Sequence, residues 1–212
     1  VGGGVIGCEF ACMAAEFGVA ATVVEMMPRL VPPMDATLGA ELLKVFKGRG
    51  IQCHLSTKVE ELAEFDGAVR VTLSGGATLD VDRVLVSVGR RANVEGIGLE
   101  KAGVRVDKGV VVVNDRMETS LAGHYAIGDV NGRVPLAHSA SAMGKLAVEN
   151  ALGNAGKAFT APSPWCVYTF PEIGGVGLSE DQARERNLPV TVGAFPFAAS
   201  GKAQAFGDTT GF

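Results

Sequence analysis

The 212-residue sequence predicts an α/β fold, and three observations support this prediction. A glycine cluster at residues 1–7 runs directly into apolar residues at helical spacing. Short β-branched runs then alternate with a second helical pattern, which is typical of a βαβ unit. Three alternating segments with glycine-bearing breaks follow, and these predict an antiparallel meander. The first part of the chain is therefore predicted to join a βαβ unit to a meander.

The first helix is predicted to follow the glycines and to end at Gly18. Residues 21–26 are a strand candidate, because a β-branched run ends there in a carboxylate. Residues 38–50 predict a second amphipathic helix that ends at Gly50, and residues 51–56 predict another strand. The apolar positions that indicate the first helix are Ile6, Phe10, Met13, Ala14 and Phe17.

The meander is predicted over residues 58–65, 68–74 and 78–89, with turns at Asp66-Gly67 and Gly75-Gly76. Each segment alternates apolar and polar residues, as a half-buried strand does. The order of elements matches a nucleotide-binding domain that ends near residue 90.

The pattern of predicted elements changes after this domain. Residues 109–115 and 124–130 predict short strands, and residues 138–153 predict a helix. Two prolines make residues 156–165 a predicted linker.

The last part of the chain predicts the beginning of a third domain. Residues 165–170, 174–188 and 190–197 predict strand, helix and strand of an α+β domain.

Charge and composition exclude several classes of protein. The net charge of −4 and the isoelectric point near 5.4 give no basic surface for nucleic acid or anionic membrane. No apolar run reaches the roughly 18 residues that a spanning helix needs, and no signal peptide is visible. The sequence thus predicts neither a nucleic-acid nor a membrane partner.

The four cysteines, Cys8, Cys12, Cys53 and Cys166, have neither metal-ligand spacing nor the density of a disulfide scaffold. Cys8 and Cys12 lie four positions apart on one helix, where burial is favoured over a redox role. We expect no metal site and a reducing, cytoplasmic location.

Gly2, Gly4 and Gly7 form the pattern G-x-G-x-x-G, which predicts a dinucleotide site. Gly2 permits a tight turn, Gly4 lets a pyrophosphate approach the backbone, and Gly7 allows close helix packing. Glu25 lies 18 residues after Gly7, where an acid binds the ribose hydroxyls and repels a 2′-phosphate, so NAD is favoured over NADP. Arg29 is expected to lie beyond the ribose. The alternative is a plain glycine turn with a surface glutamate.

Several motifs occur together along the whole chain. They are GGGVIGCE, VVEMMPRLVPPMD, VSVGRRAN, TSLAGHYAIGDV, PLAHSASAMG, YTFPEIGGVGLSEDQA and FPFAASGKAQAFGDTTGF. In this order they resemble the dihydrolipoamide dehydrogenases, which belong to the flavin-dependent disulfide reductases. The resemblance implies an NAD-binding domain at 1–90, the C-terminal part of an FAD-binding domain at 91–158, and the start of a dimerisation domain at 159–212.

The resemblance also implies site residues, some with a plainer alternative. Asp129 would bind the flavin ribityl chain or merely form a turn with Gly128, and Glu9 would lie near nicotinamide and flavin or merely favour the helix dipole. Val59 would touch adenine or be a generic strand residue, and Arg90 would contact the flavin side or make a structural ion pair. The implied cofactor residues are Gly2, Gly3, Gly4, Val5, Ile6, Gly7, Glu9, Glu25, Val59, Gly89, Arg90, Gly128, Asp129, Pro135, Leu136, Ala137 and His138.

The family's activity implies partners for the complete protein. It would be a homodimer that takes dihydrolipoamide from a lipoyl domain of a 2-oxo acid dehydrogenase or glycine cleavage complex, using FAD and NAD. Residues 135–138 would line the flavin with backbone N–H groups, and His138 is given no proton-transfer role.

The family's redox pair, spaced C-x4-C, and its catalytic His-Glu couple have no counterpart in this sequence. Cys8 and Cys12 have three residues between them, and His54, His124 and His138 do not fit the couple. We therefore expect an internal fragment without turnover of its own. The alternatives are a mercuric reductase, a soluble transhydrogenase, an NADH oxidase, less readily an NADP-dependent glutathione reductase, or a non-catalytic NAD-binding module.

Overall fold

A computed structural model describes residues 1–153, 158–160 and 162–212. These residues form two compact units, one of residues 1–89 with 166–212 and one of residues 90–165. Helices and strands are mixed along the chain, so the predicted α/β class is confirmed. Within the predicted linker, residues 156, 157 and 161 lie outside the described residues.

The first unit begins with the predicted βαβ arrangement. Its two short strands are parallel, with Val23 opposite Cys53, and each strand follows a helix. Asp35 caps the second helix, because its side chain accepts a hydrogen bond from the Thr37 N–H. The elements are α1 (Val5–Glu16), β1 (Thr22–Val24), α2 (Ala36–Gly48) and β2 (Gln52–His54).

The meander consists of β3 (Val59–Phe65), β4 (Ala68–Leu73) and β5 (Thr78–Val81), each antiparallel to the next. The prediction that its last strand runs to residue 89 is wrong, because β5 ends eight residues earlier. The N–H of Ser87 instead donates to the Val1 carbonyl at 2.8 Å. Pairing with a single residue cannot build a strand ladder.

The face of α1 that packs into the core of this unit is not the face that carries its large apolar residues. Gly7, Cys8 and Cys12 are buried, because small side chains let the helix approach the sheet closely. The large residues Ile6, Phe10, Met13 and Phe17 are 43% to 79% exposed. The buried core consists of Cys8, Cys12, Val23, Leu30, Val31, Leu42, Phe46, Ile51 and Val167.

The second unit contains β6 (Val106–Asp107), β7 (Val110–Val111) and α3 (Ala137–Ala151). The helix prediction for residues 138–153 is confirmed, and the strand predicted over 109–115 shrinks to β7. The strand predicted over 124–130 is wrong. Only one isolated bridge forms there, between Tyr125 and Glu118, and residues Gly128–Asn131 turn into a 3₁₀ helix that ends the ladder.

The C-terminal segment of the chain contains β8 (Trp165–Val167), β9 (Ile173–Gly175), α4 (Glu180–Glu185) and α5 (Gly201–Phe206). A capping box of Ser179 and Gln182 starts α4. The strand predicted over 190–197 is wrong, because no ladder partner lies beside it in the described part of the chain. Its apolar side chains are exposed instead.

Candidate functional site

Gly2 in the loop before α1 and Gly7 in the first turn of α1 are positions where the backbone leaves no room for a side chain. Gly2 has a φ of +101°, and a Cβ there would lie 2.4 Å from the Ser87 carbonyl oxygen. A Cβ on Gly7 would lie 1.9 Å from the Gly2 carbonyl oxygen. Both distances are far below van der Waals contact, so the tight turn and the close approach of α1 exclude any side chain.

Gly4 differs from both, since a Cβ built there meets no atom within 4 Å. Gly4 is the N-cap of α1 and supplies no side chain to the helix end. The first N–H groups of α1 have no intrahelical partners, and they carry the partial positive charge of the helix dipole. This combination fits a phosphate group that approaches the backbone closely.

Glu25 follows β1 and is buried, with 7% of its surface exposed. One carboxylate oxygen accepts the Gly3 N–H at 2.6 Å, and the other accepts the Met27 N–H at 2.7 Å. Each carboxylate oxygen can accept a further hydrogen bond. Glu25 thus holds the glycine loop in place, and its two oxygens can still accept hydrogen bonds from a pair of sugar hydroxyls.

The Gly3 peptide is held from its carbonyl side as well. Its oxygen accepts the Val31 N–H at 2.7 Å and the Cys8 thiol at 3.3 Å. Burial raises the pKa of Cys8 to about 12, so the thiol keeps the proton that it donates. Val31 is fully buried at a φ of +41°. The sequence pattern pointed to neither residue as part of the loop, and a valine in this conformation leaves no signal in a sequence.

Two further nucleotide candidates of the first unit, Glu9 and Val59, contact other parts of that unit. The carboxylate of Glu9 accepts the Tyr168 N–H at 2.8 Å, on the side of α1 that meets the C-terminal segment. Val59 packs against the small core of Val24, Val71 and Leu73. Val59 is only partly buried in this core, and its contact with adenine stays a prediction.

The second group of candidates lies in the second unit, except for Gly89, which is the last residue of the first part of the first unit. Gly128 is buried with a φ of +71°, and Asp129 after it is exposed. The Asp129 carboxylate lies 3.2 Å from the Arg90 guanidinium. Arg90 therefore makes the ion pair that was the alternative to a flavin contact. Gly89 has a φ of +123° with no atom near its missing Cβ.

The start of α3 resembles the start of α1, because in both helices no side chain caps the first N–H groups. Its N-cap is Leu136, which gives no side-chain hydrogen bond, and Pro135 and Ala137 beside it are exposed. Ser139 in the first turn is 2% exposed, and its hydroxyl has no partner in the described residues. His138 is turned away, because its Nε2 donates to the Pro164 carbonyl at 2.7 Å. A polar ligand fits at this helix end.

Comparison with the sequence profiles of known families shows which family the chain belongs to. Residues 1–144 match the profile described as pyridine nucleotide-disulphide oxidoreductase, and residues 163–212 match the dimerisation domain of the same family. The chain belongs to the pyridine nucleotide-disulphide oxidoreductases. Members of this family use FAD and NAD(H). The open ends of α1 and α3 are built from its residues, and both fit the phosphate and polar groups of such cofactors.

The chain is also similar to individual curated proteins of this family. The chain is 44% identical over 218 residues to a dihydrolipoyl dehydrogenase of Thermus scotoductus and 40% identical to one of Bacillus subtilis. All of this oxidoreductase chain is covered, but only 47% and 46% of those relatives. The chain thus spans about half the length of the curated relatives it matches.

Solved structures agree with this family. The copper(II) complex of the HOCl-induced flavoprotein disulfide reductase RclA from Escherichia coli has a TM-score of 0.90 at 30% identity. LpdA from Mycobacterium tuberculosis has a TM-score of 0.90 at 28% identity. The match covers 100% of this chain and 48% of RclA, and 99% of this chain and 46% of LpdA.

In the described residues, no helix is both long and apolar enough to cross a membrane. The same residues contain no cluster of three or more His, Cys, Asp or Glu side chains that could hold a metal ion.

Brief alkylation of the native 212-residue chain should modify Cys166 first. Cys166 is exposed, whereas Cys8 and Cys12 are buried, and the raised pKa of Cys8 removes its reactive thiolate. Peptide mapping after iodoacetamide treatment measures the order. In a Cys166→Ser control the fast reaction should disappear. Modification of Cys8 as fast as Cys166 would contradict the buried placement of α1.

Proposed function

We propose that the complete protein is an NAD-dependent dihydrolipoyl dehydrogenase. It would oxidise dihydrolipoamide to lipoamide by way of a redox disulfide and FAD, and this chain would supply the NAD site and part of the FAD site. The observation that carries the proposal is the glycine loop with its open helix end and the buried Glu25 beside it. The names of the most similar curated relatives support the substrate.

Within this proposal each chain residue has a binding task. The N–H groups at the start of α1 would hold the NAD pyrophosphate over Gly4, and Glu25 would accept the adenosine ribose hydroxyls. The negative charge of Glu25 would repel a 2′-phosphate and so favour NAD over NADP. FAD and NAD supply the electron-transfer chemistry when bound, and the protein orients them.

The second unit would contribute to the FAD site. Asp129 would accept a hydrogen bond from the ribityl chain, with Arg90 holding its carboxylate in place. The free N–H groups at the start of α3 would face negative charge on the flavin. Ser139, whose buried hydroxyl has no partner in the described residues, is a further candidate donor at this end.

The family also suggests the location, the oligomeric state and the partners of the complete protein. The complete protein would be a cytoplasmic homodimer that receives dihydrolipoamide from the lipoyl domain of a 2-oxo acid dehydrogenase or glycine cleavage complex. The match to a dimerisation domain supports the dimer, and the free cysteines suit a reducing compartment. The chain alone should have no turnover, because its sequence contains no C-x4-C pair.

The proposed activity is tested by assaying the complete protein for dihydrolipoamide-dependent reduction of NAD. Turnover with NAD and not with NADP is the expected result. The structural likeness to RclA favours a second candidate, a flavoprotein disulfide reductase with another electron acceptor. A bound flavin that NADH reduces, without any turnover of dihydrolipoamide, would favour that second candidate and contradict the first.

Gly4→Ala should separate binding from folding. The φ and ψ of Gly4 suit alanine and its Cβ would meet open space, so the free energy of unfolding should fall by no more than the roughly 1 kcal/mol that a poorer N-cap residue costs. The added methyl occupies the position assigned to the pyrophosphate, so the Kd for NADH should rise at least about tenfold. Titration of NADH and urea unfolding measure the two effects. Gly48→Ala, which also meets open space but lies in α2, is the control. Unchanged NADH affinity in Gly4→Ala would place the pyrophosphate elsewhere.

A further inference from the structure

The thiol of Cys8 lies against the glycine loop, and the proposed function gives it no task. Cys8 is fully buried in the first turn of α1, and its sulfur donates to the Gly3 carbonyl oxygen at 3.3 Å. Its backbone N–H donates to the next carbonyl oxygen, that of Gly4, at 3.0 Å. Cys8 thus holds two successive carbonyl groups of the loop that precedes the helix.

The Gly3 carbonyl oxygen has a second donor, the Val31 N–H at 2.7 Å. Val31 is fully buried, and its φ of +41° is rare for a β-branched residue. Such a conformation persists only where the surrounding structure holds it. The Gly3 oxygen is therefore held by two buried groups that come from different parts of the chain.

The N–H side of Gly3 is held by Glu25, whose carboxylate accepts that N–H at 2.6 Å. Gly3 also has little room to move, since a Cβ there would lie 2.9 Å from both the Glu25 Cβ and a methyl carbon of Leu30. Both peptide groups of Gly3 are thus fixed, one by Glu25 and the other by Cys8 and Val31.

The direction of the Gly4 N–H follows from the position of the Gly3 oxygen. The bond between Gly3 and Gly4 is a trans peptide, in which the C=O and the N–H point in opposite directions within one plane. Because the Gly3 oxygen faces the buried groups of Cys8 and Val31, the Gly4 N–H faces away from them. In the proposed function the NAD pyrophosphate lies over Gly4, so this N–H would face it.

We propose that Cys8 is a positioning residue for NAD. Its thiol keeps the Gly3–Gly4 peptide in the orientation that directs the Gly4 N–H at the pyrophosphate. Cys8 acts through Gly3 and needs no contact with the cofactor. Without the thiol the peptide can turn, only the correctly oriented fraction of the loop binds NAD, and the apparent Kd rises by the inverse of that fraction. The inference rests on the proposed NAD site, but not on the identity of the substrate.

Cys8→Ala is the test variant, and Cys12→Ala is its matched control. Cys12 is the other buried cysteine of α1, it belongs to the same core cluster, and its sulfur accepts the Phe170 N–H at 3.2 Å. In the complete protein, Cys8→Ala should raise the Kd for NADH about three- to fivefold, because a thiol is a weak donor and the Val31 N–H remains.

The control separates this effect from a loss of packing. Cys12→Ala leaves the Phe170 N–H without its acceptor, so urea unfolding should show at least as large a loss of stability as for Cys8→Ala. Its Kd for NADH should nevertheless stay within about twofold of the wild-type value. Equal Kd values for NADH in the two alanine variants would overturn the role of Cys8.

A serine variant and two competing ligands show how Cys8 acts. A serine hydroxyl can donate to the same carbonyl oxygen, so Cys8→Ser should keep the wild-type affinity for NADH. ADP-ribose contains the pyrophosphate, and adenosine does not. In competition with NADH, Cys8→Ala should weaken ADP-ribose by the same factor as NADH and leave adenosine unchanged. A Cys8→Ser protein as weak as Cys8→Ala, or an equal loss for adenosine and ADP-ribose, would contradict the proposal.

The same titrations separate this inference from the proposed function. A wild-type complete protein that does not bind NADH would overturn both the proposed NAD site and the role of Cys8. A wild-type protein that binds NADH but fails to turn over dihydrolipoamide would overturn the proposed activity alone, since the comparison of the cysteine variants stands without it.

Discussion

Gly7→Ala is expected to lower the free energy of unfolding by about 3 kcal/mol, the upper end for an overpacked site. The added Cβ would lie 1.9 Å from the Gly2 carbonyl oxygen, which is backbone and cannot rotate away. Either α1 must move off the sheet or the turn at Gly2 must open. Both changes disturb the buried contacts of Cys8 and Cys12.

Urea unfolding followed by circular dichroism measures the loss. Gly48→Ala in α2 is the control, because a Cβ there meets no atom and alanine is the better helix former. The control should be neutral or slightly more stable than the wild type. Equal unfolding midpoints for Gly7→Ala and the wild type would show that the glycine loop does not close as described.

Glu25→Ala is expected to affect both stability and binding. Its two carboxylate oxygens accept the Gly3 and Met27 N–H groups at 2.6 and 2.7 Å in a buried position. Removing them leaves two donors unsatisfied, which should cost about 3 kcal/mol of unfolding free energy. The Kd for NADH should rise on the order of a hundredfold, since the ribose acceptor is lost and the loop is no longer braced.

The same variant should also lose its discrimination between the two pyridine nucleotides. Without the carboxylate a 2′-phosphate meets no like charge, so the ratio of NADPH to NADH dissociation constants should fall. Parallel titrations of the complete protein measure this ratio. Glu64→Ala, which removes an exposed glutamate of β3, should leave it unchanged. A Glu25→Ala protein with the wild-type preference for NADH would remove Glu25 from the ribose site.

Local patterns in the sequence were enough to predict the βαβ unit and the meander. A glycine turn, a helical period and alternating strands each depend on residues close to one another in the chain. The loop geometry of Gly2 and Gly7, and the approach of Glu25 to Gly3, follow from that arrangement.

Contacts between distant segments could not be predicted in this way. In the sequence, the large apolar residues of α1 look like a core face, but the structure leaves them exposed. The small residues Gly7, Cys8 and Cys12 on the other side of the helix make the close packing instead. The Glu180 N–H that Asp35 accepts lies 145 residues away, and backbone donors carry no sequence signal. The strand expected over 190–197 failed because a strand requires a neighbour as well as a propensity.

Titration of NADH and NADPH into the complete protein tests most directly whether the glycine loop and Glu25 form an NAD site. The predicted result is that NADH binds at least about tenfold more tightly than NADPH, and that Gly4→Ala loses this binding while unfolding stability falls by no more than roughly 1 kcal/mol. Equal affinity for both nucleotides, or full NADH affinity in Gly4→Ala, would contradict it.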